Sequence, residues 1–543
     1  MPFWIRSLPR AVTRPISFLV VAAWLGQMAL LVNRVPLHAS ANLATDLAGY
    51  GSDAEWRGVY YRGEKLGFTV SQTVPVDDGF ELREDGELQM SLLGATTAAK
   101  IRTTARVDRA FALRSFEFSL DPGTGPIKVS GRVDATNPPD GQRRTLVLAV
   151  TTSAGTRTEK RELPEPPLLA LNIARRLADG GLAPGTRHQW SIFDPATLSN
   201  APVVVDVGRR EIVRAGSGQI PAFRVEMEFA GLRTTSWVTD TGEVVREESP
   251  MGLISVREPA ERARAMAVPN QMRADLLATA AVVPVTKLRI DDPRDVKRLR
   301  LRLEGADLSN LDLQGAGQTV DGNIVEIRDA QQLTGPADPV ARRYLAPEMF
   351  IESDAPEIRA EAAAAVGQVT GSRARAEALT RYVNAILEKK PTVSLPSARE
   401  VLRTRIGDCN EHTVLYVAMA RAIGIPSRIA VGLAYVRGAF YYHAWPEVYL
   451  DEGPSGGFWL PVDPTFNQFP ADSTHLRLAH GGLAKQAAII PLIGRLRITV
   501  LDLDLVPGST PILVGQGAAN TSPLSIPIPR RESRWCLPCL GQR

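Results

Sequence analysis

Between about Glu55 and about Arg328, apolar and polar residues alternate in short runs, the period of strands with one buried face. The run from Gly58 to Val70 reads as a hairpin. Strands of the same kind are predicted over Phe80–Met90, Ala99–Val107, Leu113–Leu120, Ile127–Val133, Thr145–Thr151, Val203–Val207, Phe223–Phe229 and Thr235–Val238, with one helix over Leu168–Leu177. The pattern describes an antiparallel β-rich region, either a curved half-barrel or a sandwich. It contains no catalytic constellation and suits substrate or partner binding, or scaffolding. Val283 to Arg328 adds two or three strands around a break. Within it, Ala306 to Ala316 has pentapeptide-repeat character, but two units are too few to stack and the stretch reads as a hairpin.

Beyond a linker over Pro336–Pro347 the period changes to that of helices. Helices are predicted near Glu357–Val366 and Arg373–Glu388, the second carrying Leu379, Tyr382, Val383, Ile386 and Leu387 at helical spacing. Ser397 with Glu400 starts a short helix, and Asp408 with Glu411 reads as the capping box of a longer one that opens at Cys409. Cys409, Thr413, Tyr416, Val417, Ala420 and Ile423 share one face of it, and Gly424-Ile425-Pro426 stops it. Phe440–Leu450 and Phe458–Asp463 follow as strands joined by the turn residues Asp451 to Gly457.

The two ends of the chain differ from the rest. Arg6, Arg10 and Arg14 precede an uncharged run from Ile16 to Val32 that Asn33-Arg34 closes. Its length lies at the short end of the roughly 17 to 25 residues of a spanning helix. The leading arginines hold the N-terminus in the cytoplasm and send the rest across. The expectation is a single-pass membrane anchor with the domains facing the periplasm or an equivalent space; cleavage near Ala41, after Ala39-Ser40-Ala41, is the alternative. Past Val506 the chain is rich in Gly, Pro and Ser and reads as disordered. It ends in Cys536-Leu537-Pro538-Cys539, a redox-type spacing without the strand–helix context that chemistry needs, so a local disulfide or no role is favoured. A zinc site drawing Cys536 and Cys539 together with Cys409 and His412 is disfavoured, because metal would block the thiol.

The chain has 543 residues, 44% hydrophobic and 22% charged, enough for two or three domains with sizeable cores. Its net charge of +4 is small for that length, and no basic patch interleaved with aromatics stands out, so nucleic acid is not an expected partner. The abundance of Ala, Arg, Gly and Pro points to a GC-rich bacterial genome.

The chemistry is concentrated in three segments: Gly407-Asp408-Cys409, Tyr442-His443-Ala444-Trp445-Pro446-Glu447 and Val462-Asp463-Pro464-Thr465. Their order allows a thiol, an imidazole and a carboxylate to meet as a nucleophilic triad. Cys409 in the first turn of a helix gains a terminus that favours thiolate, which predicts a lowered pKa. If the two strands pair with Leu450 opposite Gly456, His443 falls opposite Asp463 on the same face. Each residue alone has a plain structural explanation: a small buried hydrophobe, a packed histidine, a turn aspartate. The ordered set does not.

The stretch from about Tyr344 to about Leu505 resembles the bacterial transglutaminase-like superfamily, which shares a papain-like cysteine-hydrolase core. The matching text is Gly407-Asp408-Cys409, Ala420-Arg421-Ala422-Ile423-Gly424-Ile425-Pro426-Ser427-Arg428, His443-Ala444-Trp445-Pro446-Glu447-Val448 and Val462-Asp463-Pro464-Thr465. The resemblance implies Cys409 as nucleophile, His443 as base and Asp463 as orienting carboxylate, acting on a protein or peptide substrate with no cofactor and no metal. Only the Cys409 backbone amide offers itself as an oxyanion donor. The expected fold class is α+β: a papain-like, transglutaminase-like C-terminal core preceded by an antiparallel β-rich domain and an N-terminal transmembrane or signal helix. The expected divisions are an anchor at 1–34, a linker at 35–54, a β-rich domain at 55–335 with a candidate split near 270–285, a catalytic domain at 344–505 and a tail at 506–543. Hydrolysis through an acyl-enzyme ranks first among the expected functions. Transamidation by the same triad and non-catalytic binding in the cell envelope are the alternatives.

Overall fold

The computed structural model describes residues 50–513 apart from 51–53, 93–94, 135–143, 164, 166, 217, 230, 251, 267–280, 287, 310, 452–455, 490–491, 493 and 510–511. The predicted anchor, the Ala39–Ala41 site and the Cys536/Cys539 pair lie outside the described residues. Among the described residues no helix is long and apolar enough to cross a membrane.

The alternating region forms one antiparallel sheet of fourteen strands. These are β1 (Glu55–Tyr61), β2 (Glu64–Val76), β3 (Gly79–Leu92), β4 (Ala95–Asp108), β5 (Leu113–Asp121), β6 (Ile127–Val133), β7 (Arg144–Thr152), β8 (Gly155–Leu163), β9 (Arg187–Asp194), β10 (Ser199–Ala215), β11 (Gly218–Phe229), β12 (Leu232–Val238), β13 (Val244–Glu248) and β14 (Leu253–Arg257). Every strand pairs with its neighbours in sequence except at two points. β1 pairs with β14, and β8 and β9 become the sheet edges, linked through helix α1 (Ala170–Asp179). The sheet curls strongly. Phe116 on β5 and Phe193 on β9 are ten strands apart in the order, yet their rings lie 5.6 Å apart. A single curled sheet therefore replaces the sandwich alternative. Four of its strands, β8, β9, β13 and β14, escape the sequence pattern, because charged residues crowd β8 and β13 and weaken the alternation.

A short helix, α2 (Ala260–Arg264), ends this region. Strands β15 (Leu288–Arg289), β16 (Val296–Glu304), β17 (Gln318–Asp321) and β18 (Ile324–Arg328) follow. They pack with the second half of the chain: one apolar cluster runs from Ile290, Leu299, Leu301 and Val325 through the later helices to Leu503. Ala306 to Ala316 is not a hairpin but the loop between β16 and β17; the hairpin is β17–β18, and the loop's Asp312 N–H donates to the Leu478 carbonyl instead. Backbone past Val506, expected to be disordered, includes a two-residue strand, Ile512–Leu513, paired with β15.

The second half contains α3 (Pro356–Val366), α4 (Ser372–Ile386), β19 (Glu388–Lys389), α5 (Ala398–Thr404), β20 (Ile406–Gly407) and α6 (Cys409–Ala422). After these come β21 (Ser427–Val436), β22 (Ala439–Asp451), β23 (Gly457–Pro461), β24 (His475–His480), α7 (Leu483–Ile489) and β25 (Arg497–Leu505). α6 is buried from Glu411 to Arg421 on every side, and its polar members Glu411, His412 and Arg421 each hold a hydrogen-bond partner there. It is central, packed between α3, α4 and α5 on one flank and the antiparallel sheet β23-β22-β21-β24 on the other. A second sheet, β17-β18-β16-β25, completes the core. Met349 and Leu395 from this half join the apolar cluster of β3 to β7, and Arg157 pairs with Asp354 at 2.7 Å, so the two halves are packed together.

The motif residues outside the proposed triad have structural work. Arg428 on β21 pairs in register with Glu447 on β22, Nη2 to Oε2 at 2.6 Å, and Arg477 on β24 donates to the other carboxylate oxygen at 2.8 Å. Burial would raise the Glu447 carboxyl, but the two guanidiniums outweigh it and hold it down at about 2. A group depressed in the fold stabilises above its unfolded pKa, near 4.3, and loses that contribution as pH falls through about 2. Glu447→Gln would leave two buried guanidiniums without their carboxylate. We expect a loss of about 3–5 kcal/mol in denaturant unfolding at pH 7; an unchanged midpoint would refute this account of the cluster.

Candidate active site

Asp408 caps α6 as its sequence predicts. Its Oδ1 accepts the Asn410 N–H at 2.9 Å, and Glu411 Oε2 accepts the Asp408 N–H at 2.8 Å. Glu411 is in turn held by the hydroxyls of Thr392, at 3.0 Å, and Ser394. The box places Cys409, a half-buried free thiol, as the first helical residue, with its own N–H at the open helix terminus. The Ala444 N–H is close enough to the sulfur to lower its pKa, which sets the sulfur beside the β22 residue that follows His443.

Asp463 is fully buried and all its acceptor capacity is used. Oδ1 accepts the backbone N–H groups of Thr465 at 2.7 Å and Phe466 at 3.0 Å. Oδ2 accepts from His443 Nε2 at 2.7 Å and from His475 Nε2 at 3.1 Å. The loop that carries it is tied down by Asn384 Nδ2, which donates to the Pro464 and Thr465 carbonyls. The His443 ring stacks on Phe466, with centroids 4.6 Å apart and planes within 7°. With Nε2 committed to Asp463, Nδ1 is the nitrogen left to act as a base.

The strand register differs from the expected one. Leu450 lies opposite Phe458, not Gly456, a shift of two residues, and β23 ends at Pro461. Asp463 therefore reaches His443 from a turn closed by its backbone bridge to Gln468, not from across a ladder. A two-residue shift preserves the face, which is why the two side chains still meet.

The thiol also differs from expectation. Burial pushes the Cys409 pKa well up, the Asp408 carboxylate beside it adds to the rise, and the Ala444 N–H opposes them too weakly. The helix terminus does favour thiolate, but the carboxyl that caps it lies beside the sulfur and opposes a charge there. We expect the iodoacetamide rate of Cys409 to rise with pH to a midpoint above the roughly 8.5 of a free thiol. A midpoint well below that value would show an ion pair already formed at rest.

Sequence reasoning missed His475. It stands at the start of β24, with Nε2 on Asp463 and Nδ1 3.1 Å from Asp472 Oδ1. Burial would lower its pKa, but Asp472 and then Asp463 outweigh it and push it up to about 10, so it is an imidazolium at neutral pH. The approach of β24 depends on Gly432, which faces His443 on one side and β24 on the other; a Cβ there would lie 2.0 Å from the Leu476 carbonyl oxygen. Tyr442 was missed as well. It is half-buried beside Cys409, its hydroxyl 3.1 Å from Gln486 Oε1, and desolvation raises its pKa well above the ordinary value. His412 turns away into the helix, its Nδ1 donating to the Asp408 carbonyl at 2.6 Å.

His443, Asp463 and His475 bring three ligand atoms within 4.8 Å of one another, a donor set that a transition metal could use. Here the contacts are at hydrogen-bond distances, and the other Asp463 oxygen is taken by two backbone amides. The set is built as a hydrogen-bonded chain.

A helix that opens at a cysteine and packs on an antiparallel sheet bearing a histidine–aspartate pair is the arrangement of the transglutaminase-like core. Residues 360–464 match the Transglutaminase-like superfamily, so this part of the chain is a transglutaminase-like domain, and the match spans all three residues above. No curated protein matches the chain. Among solved structures it is similar to a candidate cysteine protease from Cytophaga hutchinsonii, at 16% identity over 40% of this chain and 91% of that one, TM-score 0.25. It is similar also to a β-barrel-like protein of unknown function from Brucella abortus, at 13% identity over 38% of this chain and 96% of that one, TM-score 0.29. A third, a candidate protease from Parabacteroides distasonis, has 12% identity over 64% of this chain and 68% of that one, TM-score 0.18.

Proposed function

We propose that the transglutaminase-like domain is a cysteine hydrolase that cleaves a peptide or amide bond, with Cys409 as nucleophile, His443 as general base and Asp463 as the carboxylate that orients it. The observation that carries the reading is the 2.7 Å bond from His443 Nε2 to Asp463 Oδ2, on the residue preceding the N–H that meets the Cys409 sulfur. The raised thiol pKa sets the order of events. His443 Nδ1 takes the thiol proton as sulfur attacks the carbonyl carbon, so the charge develops only in the transition state. The Cys409 N–H, free at the helix terminus, faces the developing oxyanion. The C–N bond then breaks, the imidazolium returns its proton to the leaving amine, and water resolves the thioester by the same base.

The test is a peptide-based thiol-reactive probe on the full chain, followed by mass spectrometry of a peptide library digested with and without added cadaverine. We expect Cys409 to be the labelled residue and free acids to be the products. Amide products with cadaverine would make the enzyme a transamidase. No labelling and no product would leave the chain a binding protein.

We propose further that the domains lie outside the cytoplasm behind an N-terminal anchor. Arg6, Arg10 and Arg14 ahead of the apolar run support this. A cytoplasm-only reporter fused after Ala41 should be silent; activity there would refute export.

A further inference from the structure

The inner face of a sheet covered on one side is normally apolar. On either side of α1 the curled sheet follows that rule: Leu82, Phe116 and Leu148 cluster on one flank, and Val203, Val205 and Val225 on the other. Between these clusters the same face turns polar. Register puts Arg57 opposite Thr69, Ser71 opposite Glu84 and Ser255 opposite Glu247, all facing a cavity of about 350 Å³ that α1 roofs. Buried charges persist where they are paired, and two here are: Arg57 with Glu84 at 2.7 Å and Arg175 with Glu55. Glu247 is left over. Its hydrogen bond comes from Ser236 Oγ at 3.1 Å, and burial pushes its carboxyl up by more than the charge of Arg57, which forms no ion pair with it, pulls it down. Two more wall atoms, Arg57 Nε and Thr69 Oγ1, are buried without a hydrogen-bond partner. Unmet polar atoms of this kind cost free energy unless something fills the space.

We propose that this cavity binds the amino-terminal end of a peptide. Glu247 is an acceptor for the protons of an ammonium group, and Thr69 Oγ1 and Arg57 Nε–H are an acceptor and a donor for the first peptide unit. The volume lies at the lower end of small-molecule sites, room for about two or three small residues. The site is separate from Cys409 and does not depend on the reading of that residue.

The experiment is calorimetric titration of the full chain carrying Cys409→Ala, so that nothing is turned over. The ligands are trialanine amide, its N-acetylated form and glucosamine. We expect saturable binding of trialanine amide at or below ~1 mM, at least about tenfold weaker after N-acetylation or in Glu247→Gln, as for loss of a charge-assisted contact. Glucosamine should not compete. Thr69→Val keeps the shape of the wall and removes one acceptor; it should weaken binding about threefold, and it decides the matter if Glu247→Gln does not fold. No saturation, equal binding of the acetylated peptide or of glucosamine, or undiminished binding by a folded variant would overturn the proposal.

Discussion

Cys409→Ala should abolish turnover, a loss on the order of 10⁶ in kcat, with His443→Ala nearly as severe. The two are expected to be equivalent because the thiol is held protonated at rest. Without an imidazole to receive the proton, the sulfur is a neutral and poorly nucleophilic group at pH 7, so removing the base disables the nucleophile too. Had the sulfur rested as a thiolate, His443→Ala would retain the attack step and lose only leaving-group protonation. Single-turnover acylation separates the cases: His443→Ala should fail to acylate at pH 7 and recover in part as pH rises through the thiol's midpoint. Acylation by His443→Ala within about tenfold of the parent would refute the general-base role. Substrate affinity should be unchanged in both variants. Replacing Cys536 and Cys539 by Ser should leave turnover as it is, since neither is needed by the arrangement around Cys409.

The contrast between what the sequence showed and what it hid is physical. α6 was legible to the residue, because a capping box, an apolar face and a Gly-Pro stop are local signals that all agree. β2 to β7 and β10 to β12 were legible for the same reason, each carrying its own alternation. The pairing of β1 with β14, and the edges this leaves at β8 and β9, have no local signature; they follow from the curl of the whole sheet. The placement of β16, and of β18 paired to it, with the second half was hidden because the other partner of β16, β25, lies some two hundred residues away. His475 was missed because its link to Asp463 is made through β24, whose approach depends on Gly432, a residue that carries no chemistry of its own. The thiol's direction was misread because the burial of the sulfur, and after it the carboxyl of Asp408, were not weighed against the helix terminus. The order of the motifs led to His443 and Asp463, which do meet, though the register that brings them together was not legible.

Asp463→Asn should fold and lose on the order of 10⁴ in kcat, the scale of a catalytic histidine held in the wrong tautomer. The structure dictates the direction of the error. Oδ1 is pinned by the N–H groups of Thr465 and Phe466, so the amide oxygen of an asparagine must take that position. Its NH₂ then faces His443 Nε2 and His475 Nε2, a donor where both rings now donate. His443 relieves the clash by moving its proton to Nδ1, the nitrogen that should receive the thiol proton, and the base is lost while the ring stays stacked on Phe466. His475 gives a separate readout. Its pKa is raised to about 10, so its contribution to stability is complete below its unfolded value near 6.5 and is lost as pH rises toward about 10. In Asp463→Asn that alkaline loss should shrink, because one of the two carboxylates that hold the imidazolium is gone. His475→Gln can still donate to Asp463 and should cost about tenfold in kcat or less, while removing the alkaline dependence. If Asp463→Asn is folded and within about tenfold of the parent enzyme, the carboxylate does not set the tautomer of His443 and the triad proposed here is wrong.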